Sequence, residues 1–266
     1  MTQAERRLYL IRSLLNEKTE YQSLNVPRDA GEQRKLLRSL MNVRTPKAAD
    51  ESFLHVQDAY LQQEMADEGI TDLDDLRPVS GDLYLWQGDI TCLKCGAIVN
   101  AANSGMTGCY IPCHACIDNC IHTFAGVQLR QDCAALMAEQ GHEEPTGQAK
   151  ITKAYNLPCD YVLHTVGPIV SGRVTREDER LLASCYRSCL ELAEKNSVRS
   201  IAFCCISTGV FHFPNERAAE IAVETVRRYK VETGSKIKAV FNVFKDLDKT
   251  IYERLLGANC APAARA

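Results

Sequence analysis

Hydrophobic residues recur at two different spacings along this chain, and the change falls near residue 80. Before that point, apolar positions three and four residues apart form one-sided helical stripes in three segments. The stripes consist of Leu8, Ile11, Leu14 and Leu15, then Leu36, Leu37, Leu40 and Met41, then Phe53, Val56, Tyr60 and Leu61. The pattern predicts a helical extension over residues 1–80, with no strand of any strength, that serves as a packing appendage or a lid.

After residue 80, short runs rich in β-branched and aromatic residues alternate with helical periods. The predicted strands are 83–87, 97–100, 149–154, 161–166, 201–206 and 239–244, and the predicted helices are 117–139, 176–195, 216–229 and 248–256. This alternation is typical of a three-layer α/β/α domain with a mixed, mostly parallel sheet, which we assign to residues 81–266. Such folds bind ligands beyond the carboxyl ends of their strands.

Four polar or glycine-containing motifs follow predicted strands. They are Gly-Asp-Ile-Thr at 88–91, Asn-Ala-Ala-Asn at 100–103, Val-Gly-Pro at 166–168 and Ser-Thr-Gly-Val-Phe at 207–211. Because the carboxyl ends of parallel strands meet at one edge of a sheet, we expect the four motifs to converge there.

Composition and charge narrow the class of protein. The 266 residues are 45% hydrophobic and 24% charged, which is ordinary for a globular protein. The net charge of -3 argues against a general nucleic-acid binder, which would present a basic face. No apolar run approaches the roughly 20 residues of a membrane span, and no signal-peptide pattern is seen, so we expect a cytoplasmic protein without a membrane partner.

Thirteen cysteines are many for a chain of this kind. In a reducing compartment they are core residues, metal ligands or nucleophiles rather than disulfides. Cys204 and Cys205 lie in an apolar run, and Cys185 and Cys189 share the apolar face of a predicted helix, so we interpret these four as buried.

A dense group of metal-ligating side chains occupies residues 109–120. Its members are Cys109, Cys113, His114, Cys116 and Cys120. Thiolate and imidazole are the ligands that zinc prefers, with four protein ligands in structural sites and three in catalytic ones. Cys113 and His114 are adjacent, so their side chains diverge, but spacing alone leaves a Cys113–Cys116 pair open.

The remaining motifs each have a functional and a purely structural interpretation. The turn at 207–211 is suited to binding phosphate through backbone N–H groups, or is an ordinary strand-to-helix turn. Asp89 either accepts a hydrogen bond from an exocyclic amine or caps the next turn. The amides at Asn100 and Asn103 suit the vicinal hydroxyls of a ribose. Asp118 either orients a water or a hydroxyl, or is a helix-terminal charge.

In this order the motifs resemble macrodomains of the MacroD type over roughly residues 83–256. The resemblance rests on the four strand-end motifs and on Ile-Asp-Asn-Cys-Ile-His at 117–122, Gly-Gln-Ala-Lys-Ile-Thr at 147–152 and His-Thr-Val-Gly-Pro at 164–168. The chain departs from that type at 108–116, where a cysteine-rich loop replaces a glycine-rich one. Together with the helical extension, this loop resembles the zinc-containing macrodomains of pathogenic bacteria and fungi.

The resemblance implies a role for each matching residue in an ADP-ribose pocket. Asp89 would contact the adenine amine and Ile90 the ring or a phosphate; Ser207, Thr208, Gly209 and Val210 would wrap the diphosphate, with Phe211 beside the distal ribose. Asn103 and Asp118 are the implied catalytic residues, Asn103 at that ribose and Asp118 near its anomeric carbon. Asn100 would hold the loop, and His122 is interpreted as structural. The subgroup's Cys-x4-His-x-Cys pattern falls on Cys109, His114 and Cys116, which would bind one zinc ion.

The implied activity is zinc-dependent hydrolysis of the glycosidic C–O bond that joins mono-ADP-ribose to a protein side chain. The alternatives are a reader module that binds ADP-ribose without cleaving it, an O-acetyl-ADP-ribose esterase, and a zinc ion that only stabilises the loop. The resemblance further suggests a lipoyl-carrier protein, modified by a sirtuin-type transferase, as the substrate.

Overall fold

The computed structural model describes residues 1–257, and the end of the predicted 81–266 unit, residues 258–266, lies outside them. Three helices come first: α1 (Gln3–Asn16), α2 (Ala30–Val43) and α3 (Glu51–Glu68). Thr2 begins α1 with a reciprocal capping box to Glu5, and the Asp29 carboxylate caps α2 by accepting from the N–H of Glu32. The prediction of a helical N-terminal segment is confirmed.

The apolar stripes of these helices pack into a small core of their own. Its buried members are Leu10, Ile11, Leu14, Leu15, Leu37, Leu40, Met41, Phe53, Tyr60, Leu61 and Val127. Val127 belongs to a later helix, so this core already includes a residue of the domain that follows. Met65 and Leu73 pack into the second, larger core around the sheet. A division of the chain at residue 80 remains a prediction.

One very short strand lies in the N-terminal segment. Thr71–Asp72 forms a short strand, β1, which pairs in parallel with β3 (Leu93–Lys94). A two-residue strand has too little sequence for a detectable alternation, so only its partner in space defines it.

A six-stranded sheet forms the centre of the protein. Its strands are β2 (Leu83–Gln87), β4 (Ala97–Ala102), β5 (Ala149–Lys153), β6 (Tyr161–Val166), β7 (Ser200–Phe203) and β8 (Lys238–Val243). The order is β2-β8-β7-β4-β6-β5, with every neighbouring pair parallel except β5 and β6. The predicted mixed, mostly parallel sheet is confirmed.

Five helices flank this sheet: α4 (Ile117–Ala125), α5 (Val127–Gln140), α6 (Arg176–Lys195), α7 (Asn215–Thr233) and α8 (Asp246–Gly257). The single helix predicted at 117–139 is wrong, because Gly126, at φ 98°, separates α4 from α5. A side chain at Gly126 would meet the Nε2 of Gln57 at 2.6 Å. Gln57, on α3, accepts a hydrogen bond from the N–H of Val127 and so caps α5.

The parallel strands bring their carboxyl ends, and the motifs that follow them, to one edge of the sheet. Gly167, after β6, lies directly against Ser207, after β7. The N–H of Val170 donates to the carbonyl of Phe211 at 2.9 Å, which joins the same two loops. The expected convergence of the strand-end motifs is confirmed. Among residues 1–257, no helix is both long enough and apolar enough to cross a membrane.

Candidate functional site

A buried carboxylate, Asp118, lies at this edge in the first turn of α4 and is held from two sides. Its Oδ1 accepts a 2.8 Å hydrogen bond from Asn100, and its Oδ2 accepts one of 3.1 Å from Asn103. Only 5% of Asp118 is exposed. Burial raises the pKa of Asp118 to about 6, while the hydrogen bonds from the two asparagines and the charge of Arg130 oppose the rise.

Asn100 connects Asp118 to a histidine under the sheet edge. Its Nδ2 also lies 3.1 Å from the Nδ1 of His164, and the Nε2 of His164 lies 2.9 Å from the Oγ1 of Thr152. Because the Asn100 amide nitrogen is a donor, it assigns the acceptor role to Nδ1 and the proton to Nε2 of His164. Burial lowers the pKa of His164 to about 3, so its ring is neutral.

The expectation that Asn100 holds the cysteine-rich loop is wrong, since its side chain contacts Asp118 and His164 instead. His122, interpreted as structural, lies one helical turn after Asp118 and near its carboxylate. Its Nε2 lies 3.6 Å from the Oδ1 of Asp118. Burial lowers the pKa of His122 well below its usual range, and the charge of Arg130 adds to the effect.

The cysteine-rich loop brings three of its five candidate ligands together. The ligand atoms of Cys109, His114 and Cys116 all lie within 4.8 Å of one another, and Cys109 Sγ is 3.4 Å from His114 Nδ1. In tetrahedral zinc sites, with bonds of about 2.1 Å to nitrogen and 2.3 Å to sulfur, ligand atoms lie about 3.6 Å apart. The donor types and their spacing therefore fit a zinc ion. Cys113 and Cys120 do not belong to this group.

The geometry of the loop explains why these three residues meet. Gly108 precedes Cys109 at φ 85°, and a Cβ there would lie 2.8 Å from the His122 ring. At the other end, Cys116 caps α4, its Sγ accepting from the N–H of Asn119 at 3.4 Å. Burial raises the pKa of Cys116 to about 12. Without a metal its thiol keeps its proton at neutral pH, and a metal would displace that proton.

A second group of possible metal-ligating atoms among the described residues comprises His122, Cys133 and His164, all buried. Both ring nitrogens of His164 already have hydrogen-bonding neighbours, Asn100 and Thr152. We therefore interpret this group as polar packing beneath Asp118 rather than as a metal site.

The residues assigned to the nucleotide lie on two of the converging loops. Asp89 is exposed and caps a turn, its Oδ1 accepting from the backbone N–H of Thr91 at 2.9 Å and from the Thr91 hydroxyl at 2.7 Å. Ile90, which follows it, is buried. The structure thus shows the capping role of Asp89, and its contact with adenine remains a prediction.

The turn after β7 has the form expected of an anion-binding loop. Ser207 is buried with a left-handed backbone, at φ 65°, and the Oγ1 of Thr208 donates to the carbonyl of Cys205 at 2.9 Å. Gly209 and Val210 are exposed, Val210 to 60%, and Phe211 is half-buried. The exposed backbone at the tip precedes the first turn of α7, where N–H groups favour an anion.

Two residues that hold the loop escaped the sequence analysis. Asn119 is completely buried at the start of α4, and Arg38 reaches the loop from α2. Asn119 lies in the motif at 117–122 but received no role there. Arg38 matches no motif, and its contacts lie 76 to 82 residues away along the chain, so no local signal could have connected it to the metal group.

The mixed sheet with flanking helices defines a three-layer α/β/α protein. Its candidate site lies at the carboxyl ends of the parallel strands, where two asparagines hold a buried aspartate. The Macro domain model matches residues 99–222. A protein-ADP-ribose hydrolase of Treponema medium is 62% identical over 260 residues, spanning 96% of this chain and all of that protein. The chain therefore belongs to the Macro domain family.

Two further proteins are similar to this chain over most of its length. A protein-ADP-ribose hydrolase of Staphylococcus aureus strain MSSA476 is 50% identical over 247 residues and 92% of each chain. The crystal structure of a Trypanosoma brucei macrodomain in complex with ADP-ribose superposes with a TM-score of 0.65 at 31% identity, covering 83% of this chain and 95% of that one.

Proposed function

We propose that this protein is a zinc-dependent hydrolase that removes mono-ADP-ribose from modified protein side chains in the cytoplasm. One observation carries the proposal: the fixed carboxylate of Asp118 lies in the first turn of α4, the helix that is capped by Cys116, the last of the three candidate zinc ligands. The names of the Treponema medium and Staphylococcus aureus relatives support the hydrolase activity. The bound ligand of the Trypanosoma brucei macrodomain supports ADP-ribose as the molecule that this pocket accepts.

The bond that breaks joins the anomeric carbon of the distal ribose to a side-chain oxygen. Water supplies a hydroxyl to that carbon and a proton to the leaving oxygen, so the products are ADP-ribose and the unmodified side chain. Asp118 orients the water or a ribose hydroxyl by accepting its hydrogen bond. Asn103 donates to Asp118 and to the carbonyl of Gly108, and so places the carboxylate relative to the loop.

The other proposed ligand-binding residues contact the distal ribose, the diphosphate and the adenine in turn. Phe211 lies beside the distal ribose, and the backbone of 207–210 binds the diphosphate. Asp89 binds the adenine amine, and Ile90 binds the ring or the nearby phosphate. Cys109, His114 and Cys116 would hold one zinc ion, which supplies Lewis-acid polarisation of an oxygen at the bond that breaks. As the modified protein we propose a lipoyl-carrier protein, modified by a sirtuin-type transferase at an acidic side chain or another oxygen.

The test is release of ADP-ribose from a mono-ADP-ribosylated protein under single-turnover conditions. We expect Cys116→Ala to lose turnover and zinc together. The matched control is Cys113→Ala, which removes a neighbouring thiol outside the three-ligand group and should retain both. Undiminished turnover by the zinc-free Cys116→Ala protein would remove zinc from the reaction. Wild-type protein that binds ADP-ribose without releasing any from either protein or small-ester substrates would instead identify a reader module.

A further inference from the structure

The N-terminal extension reaches into the cysteine-rich loop through one side chain of α2. The Nη2 of Arg38 lies 2.8 Å from the carbonyl oxygen of His114 and 3.0 Å from the Oδ1 of Asn119. The Sγ of Cys120 is a third neighbour, at 3.4 Å. One guanidinium nitrogen of a helix outside the sheet domain thus contacts three residues of the metal loop and of α4.

Asn119, which is hydrogen-bonded to Arg38, is also hydrogen-bonded to other residues of the loop. Its Nδ2 donates to the carbonyl oxygens of Cys109, at 3.2 Å, and Ile111, at 3.0 Å. Its backbone N–H donates to the Sγ of Cys116 at 3.4 Å. Because Asn119 has no solvent exposure, water cannot replace these bonds when they are lost.

Taken together, Arg38 and Asn119 contact every member of the three-ligand group. Arg38 holds the backbone of His114, and Asn119 holds the backbone of Cys109 and the sulfur of Cys116. We propose that Arg38 and Asn119 are positioning residues of the zinc site, so that α2 of the N-terminal extension is part of the metal centre. This inference rests on the proposed zinc site and adds to it the elements that orient the ligands.

Hydrogen bonds at the carboxyl end of α2 hold this helix against the sheet domain. Asn42 accepts a 2.9 Å bond from the N–H of Cys113 and donates one of 2.8 Å to Thr123. The buried guanidinium of Arg130 donates to the last carbonyls of the helix, including that of Asn42 at 2.7 Å. The same guanidinium lies 4.4 Å from the centre of the Tyr110 ring, in the metal loop.

These contacts matter because residues 104–116 form neither helix nor strand. An irregular loop loses conformational entropy when it closes on an ion, and hydrogen bonds that order it beforehand reduce that loss. Outer contacts of this kind typically change metal affinity by about 10- to 100-fold when they are removed.

The experiment measures zinc affinity of the full chain by competition with a chromophoric chelator. We expect Arg38→Ala to weaken zinc binding by about 10- to 100-fold. Arg38→Lys should recover part of the loss, because an ammonium also donates hydrogen bonds but lacks the planar, preorganised geometry of the guanidinium. The matched control is Arg34→Ala, which removes an exposed guanidinium from the same helix one turn earlier and should leave zinc affinity unchanged.

A second readout separates positioning from general stability. With excess chelator, the difference in unfolding temperature between Arg38→Ala and Arg34→Ala measures the general loss of stability, and the rise in midpoint on adding zinc should be smaller for Arg38→Ala than for Arg34→Ala. If Arg38→Ala fails to fold, Arg38→Met takes its place, because it removes the guanidinium but keeps an unbranched apolar side chain. If Arg38→Ala binds zinc as tightly as the wild type while Cys116→Ala does not bind it, the positioning role of Arg38 is wrong but the proposed zinc site stands. Absence of zinc binding by the wild type would overturn the proposed zinc site as well.

Discussion

The Nδ2 of Asn100 donates a 2.8 Å hydrogen bond to the Oδ1 of Asp118, joining β4 to the first turn of α4. A second asparagine, Asn103, donates to the other carboxylate oxygen. With one donor on each oxygen, the carboxylate has a single orientation at the edge of the sheet where the strand-end motifs converge. Its position therefore depends on the sheet and on the helix together.

The first prediction concerns Asp118→Ala. We expect the rate of ADP-ribose release to fall by about 10²- to 10⁴-fold, the usual size of a positioned acid–base contribution. Affinity for free ADP-ribose should remain within a few-fold, because removing a negative charge does not weaken attraction to the diphosphate. Single-turnover release and calorimetric titration measure the two quantities. Wild-type turnover by the variant would show that Asp118 has no part in the chemistry.

The second prediction concerns the glycine before the metal loop. Gly108→Ala combines an unfavourable backbone, at φ 85°, with a Cβ placed 2.8 Å from the His122 ring. We expect a loss of about 1–3 kcal/mol in the free energy of unfolding, and lower turnover because Cys109 follows directly.

The control for this variant is Gly141→Ala. Gly141 has a similar backbone, at φ 75°, but nothing lies within 4 Å of the position its Cβ would take. Only the backbone cost, about 1 kcal/mol, should remain, and turnover should not change. Equal losses for the two variants in urea unfolding would mean that the contact with His122 is unimportant.

The third prediction concerns the junction of two ligand loops. A Cβ at Gly167 would overlap the Ser207 hydroxyl and lie 2.9 Å from the Ile206 side chain. Gly167→Ala should therefore displace the turn proposed to bind the diphosphate and weaken ADP-ribose binding by roughly tenfold, the equivalent of 1.4 kcal/mol. Among residues 1–257, nothing lies within 4 Å of the position that a Cβ at Gly257 would take, so Gly257→Ala should bind as the wild type does. Unchanged affinity of Gly167→Ala would place the diphosphate elsewhere.

The fourth prediction is a loss of stability in mild acid. Burial lowers the pKa of His164 to about 3, against an unfolded value of about 6.5. Above pH 6.5 the ring is neutral in both states and has no linkage effect. As the pH falls from 6.5 towards 3, only the unfolded chain takes up the proton, so stability decreases by up to about 1.4 kcal/mol per pH unit.

Urea unfolding between pH 7 and pH 5, with a chelator present, measures this slope. His164→Gln should be less stable at pH 7, since it disturbs the bonds to Asn100 and Thr152, but its stability should fall less steeply with acid. His55 is exposed on α3, so His55→Gln should keep the wild-type slope. A His164→Gln slope as steep as that of the wild type would assign the acid sensitivity to other groups.

The elements that sequence reasoning recovered are those with a long periodic signal. The prediction for α6 coincides with the helix Arg176–Lys195, and those for β2 and β6 with the strands Leu83–Gln87 and Tyr161–Val166. The errors fall where a tertiary contact overrides the local pattern. Gly126 breaks a continuous helical period because Gln57, almost 70 residues earlier, occupies the space beside it and caps the new helix.

The sequence by itself determined the alternation of strands and helices, the family resemblance and the set of five candidate metal ligands. It did so because periodicity and short motifs are local properties of the chain. Only the tertiary structure showed that Cys109, His114 and Cys116, the ligands implied by the resemblance, come together, that Asn100 holds Asp118 rather than the loop, and that Arg38 of the extension contacts His114. Those relationships depend on the distance between atoms far apart in sequence, which packing of α2 and α4 against the sheet establishes.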